Sequence, residues 1–253
     1  MDKVERLQSL NEPKIILVGD SNLAFGIRSE MLEKEFNMQV VNLGFHGSLR
    51  NRLQENVAKL NINTGDIVII CHSSYGDDEG VVDYKLLLTT FEWHKELWKI
   101  ASIEDYIGML SAIPSYLISA YKHKILGTGN KPSSGCYSRD AFNKYGDNIF
   151  SEIDKETRFV FKEGSLDKYP APISDACVNR INELNEYVIE KGARLLIGEF
   201  PIADGEYTPD HSAFYDFETE LKNRIECSVI SSVSDYFFDY TYFYNTILHL
   251  TED

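Results

Sequence analysis

The fold of this 253-residue chain is decided by the stretch Lys14-Ile15-Ile16-Leu17-Val18-Gly19-Asp20-Ser21-Asn22. Lys14 is followed by the apolar run Ile15 to Val18, which is rich in β-branched side chains, and Lys14 to Val18 is therefore typical of a buried strand. Gly19 predicts a tight turn after that strand, and apolar residues then recur at helical spacing from Leu23 to Phe36. The stretch therefore predicts a strand, a turn that carries Ser21, and a helix.

Two further units repeat this pattern. We predict strands at Val40–Leu43 and Ile67–Cys71, with a helix at Leu49–Leu60 between them. This β-α alternation predicts an α/β fold with a doubly wound, flavodoxin-like, mostly parallel sheet. Because such sheets bind ligands beyond the carboxyl ends of their strands, the turns at 19–22, 44–47 and 72–76 are predicted to meet at one edge.

The rest of the chain is read as one domain over 1–253, with a helical and irregular insertion at about 84–172 that caps the active edge. Within it, residues 91–124 predict one or two helices joined near Pro114. Regular patterns return as a helix at 174–191, a strand at 194–200, a helix near 214–225 and a strand near 228–233.

Charge and composition narrow the classes of partner. The net charge of −15 opposes binding to phosphate backbones and anionic lipid, so we expect no nucleic acid partner and a neutral or cationic substrate. No apolar run is long enough to span a bilayer, and the charged N-terminal stretch lacks the apolar segment of a signal peptide, so cytoplasmic residence is expected. The four cysteines are isolated and are predicted to be reduced and mostly buried.

A serine at a strand-to-helix turn is well placed for nucleophilic chemistry. Its hydroxyl stands on the active edge, and the N–H groups of the following helix point toward an oxyanion formed there. The simpler alternative is that Asp20 and Ser21 only cap the helix.

Three short blocks connect this serine to a known family. Gly19-Asp20-Ser21 resembles the first block of the SGNH (GDSL-type) hydrolases, Asn42-Leu43-Gly44 resembles the second, and the segment 243–250 (FYNTILHL) resembles the last. The resemblance implies a serine esterase or acyltransferase that removes or transfers an acyl group, such as acetyl, on a carbohydrate hydroxyl without a cofactor. It also implies that Ser21 is the nucleophile, that His249 is the general base, and that the N–H groups of Ser21 and Gly44 bind the oxyanion.

Two positions depart from the family pattern. The third block normally supplies an asparagine to the oxyanion hole, but this chain has none in the segment 72–76 (HSSYG), so Ser73 or Ser74 is predicted to replace it. In the last block Asn245 occupies the position of the acid that orients the histidine, and Asp239 is the alternative partner. The residues expected to contact substrate are Asp20, Asn22, His46 and Tyr75.

Other classes of function remain open from the sequence. The histidines show no metal-binding spacing, so no metal is expected. The altered third and last blocks would also suit a noncatalytic SGNH-fold binding protein with a degenerate site. A nucleotide-binding domain that uses the Gly19 turn as an anion cradle is the least favoured alternative, because the chain has neither GxGxxG nor a P-loop and Asp20 would face the phosphate. The sequence does not determine the oligomeric state.

Overall fold

The computed structural model describes residues 2–76, 82–127, 135–150, 154, 156–208 and 210–251. Its strands are β1 (Lys14–Gly19), β2 (Gln39–Gly44), β3 (Ile67–Cys71), β4 (Arg194–Ile197), β5 (Ile202–Asp204), β6 (Ser228–Val229) and β7 (Phe237–Asp239). Five of them form one sheet in the order β2-β1-β3-β4-β6, with every neighbouring pair parallel. The predicted α/β class with a parallel sheet is confirmed, and this strand order is compatible with a flavodoxin-like fold.

Helices cover both faces of this sheet. The described residues include α1 (Lys3–Ser9), α2 (Ser21–Gly26), α3 (Ser29–Phe36), α4 (Asn51–Ala58), α5 (Tyr84–Trp93), α6 (Ile103–Lys124), α7 (Asp175–Glu190) and α8 (Ser212–Arg224). Because successive side chains of a strand point to opposite faces, Ile16 and Val18 of β1 join a cluster with Leu7, Leu53 and Leu184 of α1, α4 and α7. Ile15 and Leu17 join a second cluster with Leu23 of α2.

The helix predicted from Leu23 to Phe36 is two helices. The chain leaves the helical conformation at Ile27 and Arg28, between α2 and α3. Both the N–H and the hydroxyl of Ser29 bind the carboxylate of Asp147, at 2.9 and 2.5 Å. The break therefore depends on a residue 118 positions away, which periodicity alone does not reveal.

The predicted junction near Pro114 is wrong. Helix α6 runs through Pro114 without interruption, and the break lies earlier, between α5 and α6. Ser102 starts α6 with a capping box, because its side chain accepts the N–H of Asp105 while the Asp105 side chain accepts the N–H of Ser102. This local start signal determines the helix boundary, whereas the proline lies on an exposed part of the helix and does not end it.

After α6, the described part of the predicted insertion has little regular structure, with short 3₁₀ turns at Gly135–Tyr137 and Arg139–Ala141. Helix α7 begins at Asp175, where the Ser174 side chain accepts the N–H of Cys177, and the chain leaves the helix at Gly192 with φ of +74°. Strands β5 and β7 form a separate parallel pair, which the sequence did not predict.

Three of the four cysteines are buried and Cys227 is half-buried, and all four are free thiols. In the described part of the chain, no helix combines the length and the apolar character needed to cross a membrane.

Candidate functional site

Ser21 opens into a cavity at the carboxyl edge of the sheet. It is the first residue of α2, and Asp20 caps that helix by accepting the N–H of Asn22 at 3.1 Å. The cavity has a volume of about 390 Å³ and is also lined by Gly44 and His46 from the turn after β2. Among the residues that the structure describes, neither the hydroxyl nor the N–H of Ser21 has a protein hydrogen-bond partner. The hydroxyl is therefore free to react or to bind a ligand.

His249 is held in place behind this cavity. Its Nδ1 lies 2.6 Å from Oδ1 of Asn245, and its ring stacks on Phe25 with 4.0 Å between centroids. Because an amide oxygen only accepts hydrogen bonds, Nδ1 carries the proton and Nε2 keeps its lone pair. Asn245 thus fixes the tautomer that a general base needs, while Phe25 lines the cavity on its other side.

The protonation of His249 is shifted strongly. Burial, together with the nearby ring of His46, lowers the pKa of His249 to about 4. The ring is therefore neutral at pH 7 and able to accept a proton. Protonation of this buried ring therefore costs about 3 kcal/mol more than protonation of an ordinary histidine, and Asn245, a neutral amide, does not stabilise the imidazolium as a carboxylate would.

Ser21 lines the cavity, whereas His249 stacks on the Phe25 ring that forms part of its wall. Among the hydrogen bonds of the described residues, none joins Ser21 to His249. His46 is exposed at the mouth of the cavity, and its Nδ1 accepts the N–H of Ser48 at 3.2 Å. The structure thus brings Ser21, Gly44 and His46 to one cavity, with His249 and Asn245 next to its Phe25 wall.

Gly44 does not present a free oxyanion donor. Its N–H donates to Oδ1 of Asn42 at 2.8 Å, and the Asn42 amide group donates in turn to Leu23 O and Asp147 Oδ1, both at 2.9 Å. A Cβ atom on Gly44 would lie 2.6 Å from the backbone nitrogen of Ala24. Asn42 and Gly44 therefore have a structural reason to be present, which is the close approach of α2 to β2.

Ser73 and Ser74, predicted to replace the missing asparagine, lie away from the cavity. The Ser73 hydroxyl donates to the carboxylate of Asp20, and both side chains are buried. The Ser74 hydroxyl accepts the N–H of Gly76 at 3.3 Å. Neither serine lines the cavity beside Ser21.

The other predicted substrate contacts are also internal. Asn22 is buried and its amide group donates to Cys71 O at 3.0 Å, which ties α2 to the end of β3. Tyr75 is 1% exposed and packs against Phe217, with 5.8 Å between centroids. Asp20, Asn22 and Tyr75 therefore hold the edge of the sheet together, and only His46 of the four lines the cavity. Asp239, the alternative acid, binds Thr241 by its side chain.

A second polar cluster closes the end of β3. His72 Nε2 lies 3.0 Å from Oε1 of Glu55, and Arg180 donates to Oε2 of Glu55 at 2.7 Å. Burial alone would raise the pKa of Glu55, but the hydrogen bonds and charges of His72 and Arg180 outweigh it and hold that pKa below its ordinary value. Near the end of β4, burial and the charge of Glu218 raise the pKa of Glu199 to about 7.

A second cavity of about 550 Å³ adjoins the first, since Phe45 and Phe142 line both. Lys3 lies in it and donates to Gly44 O at 2.6 Å and to Gly146 O at 2.7 Å. Burial lowers the pKa of Lys3 to about 7, although the charge of Asp147 opposes that shift. Lys3 thereby ties the turn after β2 to the segment 135–150.

Several residues of the cavity wall were not predicted from the sequence. They are Ala24, Phe25, Phe45, Asp83, Leu86, Tyr137 and Phe142. Asp83 has a detectable local signal, because it caps α5 by accepting the N–H groups of Lys85 and Leu86. Tyr137 and Phe142 lie in irregular segments of the insertion, where no periodic pattern indicates which side chain turns toward Ser21.

Among the described residues, no group of three or more histidine, cysteine, aspartate or glutamate side chains is arranged to hold a metal ion.

No family model, no curated protein and no solved structure matches this chain.

Proposed function

We propose that this chain is a serine esterase or acyltransferase of the SGNH type, with a doubly wound, flavodoxin-like domain. The observation that carries the proposal is the unpartnered hydroxyl of Ser21 in a cavity whose Phe25 wall stacks on His249. The neutral His249 ring, held by Asn245 with Nε2 free, suits the role of a base. The motif order and the strand-end position of Ser21 support the same assignment.

The reaction proceeds by acyl transfer. Ser21 Oγ attacks the ester carbonyl and its proton passes to Nε2 of His249, which then returns that proton to the leaving alcohol. A water or a second hydroxyl then attacks the acyl carbonyl while Nε2 of His249 takes its proton; the bond between the carbonyl carbon and Ser21 Oγ breaks, and His249 returns the proton to Ser21 Oγ. The first proton transfer requires Ser21 Oγ and His249 Nε2 to lie within hydrogen-bond reach in the substrate complex, since catalytic hydrogen bonds are often unformed without substrate.

The proposed site stabilises an oxyanion poorly, because one of its two expected donors is already hydrogen-bonded. The N–H of Ser21 is free, whereas the N–H of Gly44 becomes available only when Asn42 releases it. One missing oxyanion donor typically costs about 2.7–4 kcal/mol of transition-state stabilisation. The proposed enzyme is therefore slow on simple esters.

The proposed substrate is an acylated carbohydrate. Aromatic side chains line the cavity (Phe25, Phe45, Tyr137 and Phe142), and such side chains pack well against the apolar faces of sugar rings. The net charge of −15 favours a neutral substrate over an anionic one.

A fluorophosphonate probe tests this function, because it reacts covalently with activated serines. Mass spectrometry should locate the label on Ser21, with no label in Ser21→Ala and full labelling in Ser74→Ala, whose serine lies off the cavity. Label on another serine, or no label while a control esterase reacts, contradicts the proposal.

A noncatalytic carbohydrate-binding protein is the second candidate, and the hydrogen bond between Asn42 and the Gly44 N–H favours it. Such a protein would bind sugar equally well in the wild type and in Ser21→Ala, as measured by calorimetry, and neither would hydrolyse acetyl esters.

A further inference from the structure

Helix α6 rests on the protein by one side only. Near its start, Gly108 lies under the ring of Tyr84 and Met109 is buried. Farther along, Lys85 of α5 donates to the Ser119 hydroxyl at 2.6 Å. After Met109, no residue of α6 is buried. The last four turns of this 22-residue helix therefore touch α5 and, within the described part of the chain, leave the opposite side open.

The open side is apolar along its whole length. We define the α6 stripe as Ile103, Tyr106, Leu110, Ile113, Leu117 and Tyr121, which recur every three or four residues and are between 36% and 78% exposed. From Tyr106 to Tyr121 the helix has no charged residue. A stripe with this spacing normally faces a protein core, so its exposure marks a surface that another molecule covers.

The size of the surface fits a protein interface. The helix is about 33 Å long. Large apolar side chains that are about half exposed each offer roughly 100 Å². The stripe with its flanking Ile107 and Ile118 therefore presents roughly 800 Å², which matches one side of a standard interface and exceeds the patches of about 300–600 Å² found on monomers.

We propose that the α6 stripe is covered by the same stripe of a second copy of this chain, packed antiparallel around a two-fold axis near Ile113. The stripe is self-complementary in that arrangement, since reversing it about the 113–114 bond places Leu110 opposite Leu117 and Tyr106 opposite Tyr121. A two-fold dimer requires such a self-complementary patch. This inference does not depend on the proposed function.

Charge also favours this face for self-association. Residues 84–127 contain five lysines and four acidic residues, a net charge of +1, whereas the whole chain carries −15. When two copies meet through residues 84–127, the acidic remainder of each chain stays away from that of its partner, which lowers the charge repulsion between the copies. The two ends of α6 also differ in charge, since its first turn carries Glu104 and Asp105 whereas its last turn carries Lys122, His123 and Lys124, so an antiparallel copy sets unlike charges at both ends.

Sedimentation equilibrium over a range of concentrations tests the proposal. The wild type should show a dimer of twice the 28.9 kDa chain mass. Leu110→Glu and Leu117→Glu each place a charge in the interface and should weaken self-association about 100-fold or more. Ser115→Glu, an exposed change on the same helix outside the stripe, is the matched control and should leave the dimer intact.

The register has its own test. In a Cys227→Ser background, chains carrying Leu110→Cys should form disulfides with chains carrying Leu117→Cys after oxidation. Chains with Leu110→Cys alone should not crosslink to each other, because those two positions lie about 10 Å apart along the axis.

A wild type that stays monomeric overturns the proposal, including one that binds lipid vesicles or another protein through the stripe. A dimer that survives both glutamate variants, with unfolding temperatures equal to the wild type, also overturns it.

Discussion

The carboxyl ends of β1 and β3 lie side by side in the sheet and carry similar residues, yet their serines have opposite environments. Ser21 after β1 lines an open cavity without a protein partner. Ser73 after β3 is buried and donates to Asp20. Both serines follow a strand of the same sheet, but only Ser21 is available for chemistry. Ser73 has a structural role, because the Asp20 carboxylate already accepts its hydroxyl.

The histidines of the two regions differ in the same way. His249 beside the cavity is held by a neutral amide, so burial depresses its pKa to about 4. His72 at the end of β3 binds Glu55, which also binds Arg180. The first arrangement leaves a neutral ring beside the cavity wall, whereas the second places a fully buried ring in a cluster with Glu55 and Arg180 that supports the fold.

The largest expected effect separates the two serines. Ser21→Ala should lower turnover of p-nitrophenyl acetate by roughly 1,000-fold or more, with no loss of stability, because the removed hydroxyl has no structural partner. Ser73→Ala should keep activity but lower the free energy of unfolding by about 1–3 kcal/mol, since it removes a donor from buried Asp20. Initial rates measure the change in activity of both variants, and urea denaturation measures the change in stability. Equal effects of the two substitutions would contradict the different roles assigned to Ser21 and Ser73.

The second prediction concerns the buried cluster of Glu55, His72 and Arg180 at the end of β3. Arg180→Leu leaves Glu55, which is 1% exposed, with His72 as its remaining partner in the cluster. The free energy of unfolding should fall by about 3 kcal/mol, because removing one member of a buried ionic cluster leaves a charge poorly compensated. Lys34→Leu, which breaks the exposed pair with Glu30, is the control and should change it by less than about 0.5 kcal/mol. A loss below 1 kcal/mol in Arg180→Leu would mean that the cluster is solvated.

Glu199, near the end of β4, gives a pH-dependent prediction. Its pKa rises from 4.5 to about 7 on folding, so the fold favours the protonated form. The stability from this group is complete below about pH 4.5 and is lost as pH rises through 7, a change of about 2 kcal/mol after allowance for screening.

Glu199→Gln should therefore gain stability relative to the wild type between pH 4.5 and 7, as measured by urea denaturation at several pH values. The exposed change Glu186→Gln should show no such trend. A constant difference between Glu199→Gln and the wild type at all pH values would show that Glu199 does not titrate in this range.

The smallest expected effect is a change in activity, and it comes from Asn245 and His249 beside the Ser21 cavity. Asn245→Asp places a carboxylate on Nδ1 of His249, which should raise the pKa of His249 and the rate of acyl transfer by about 10-fold. Activity requires the neutral ring, so the acid limb of kcat/KM should move from near pH 4 in the wild type to a higher pH in the variant.

Asp239→Asn is the matched control, since Asp239 binds Thr241. If Asp239→Asn loses activity while Asn245→Asp gains none, Asp239 is the functional partner of His249.

The regular elements near the motifs were predictable because their signals are local. The apolar runs of β1 and β3 are continuous, as both faces of a covered parallel sheet require, and their boundaries match the prediction within one residue. The cap Ser174 and the end of α7 at Gly192 are also local signals. By contrast, the break between α2 and α3 depends on Asp147, whose position no local pattern reports.

The candidate site was predictable only as a set of positions. The sequence by itself determined that Ser21 and Gly44 lie at strand ends on one edge of the sheet, because alternating β-α units bring their strand ends together. It also determined that Asn245 lies four residues before His249. Only the tertiary structure decided which of these groups are free. Asn42 occupies the Gly44 N–H, Asp20 occupies Ser73, and Phe142 and Tyr137 close the cavity from the insertion. Hydrogen-bond partners and cavity walls come from residues up to 143 positions apart, and such distances are bridged by packing rather than by any repeat along the chain.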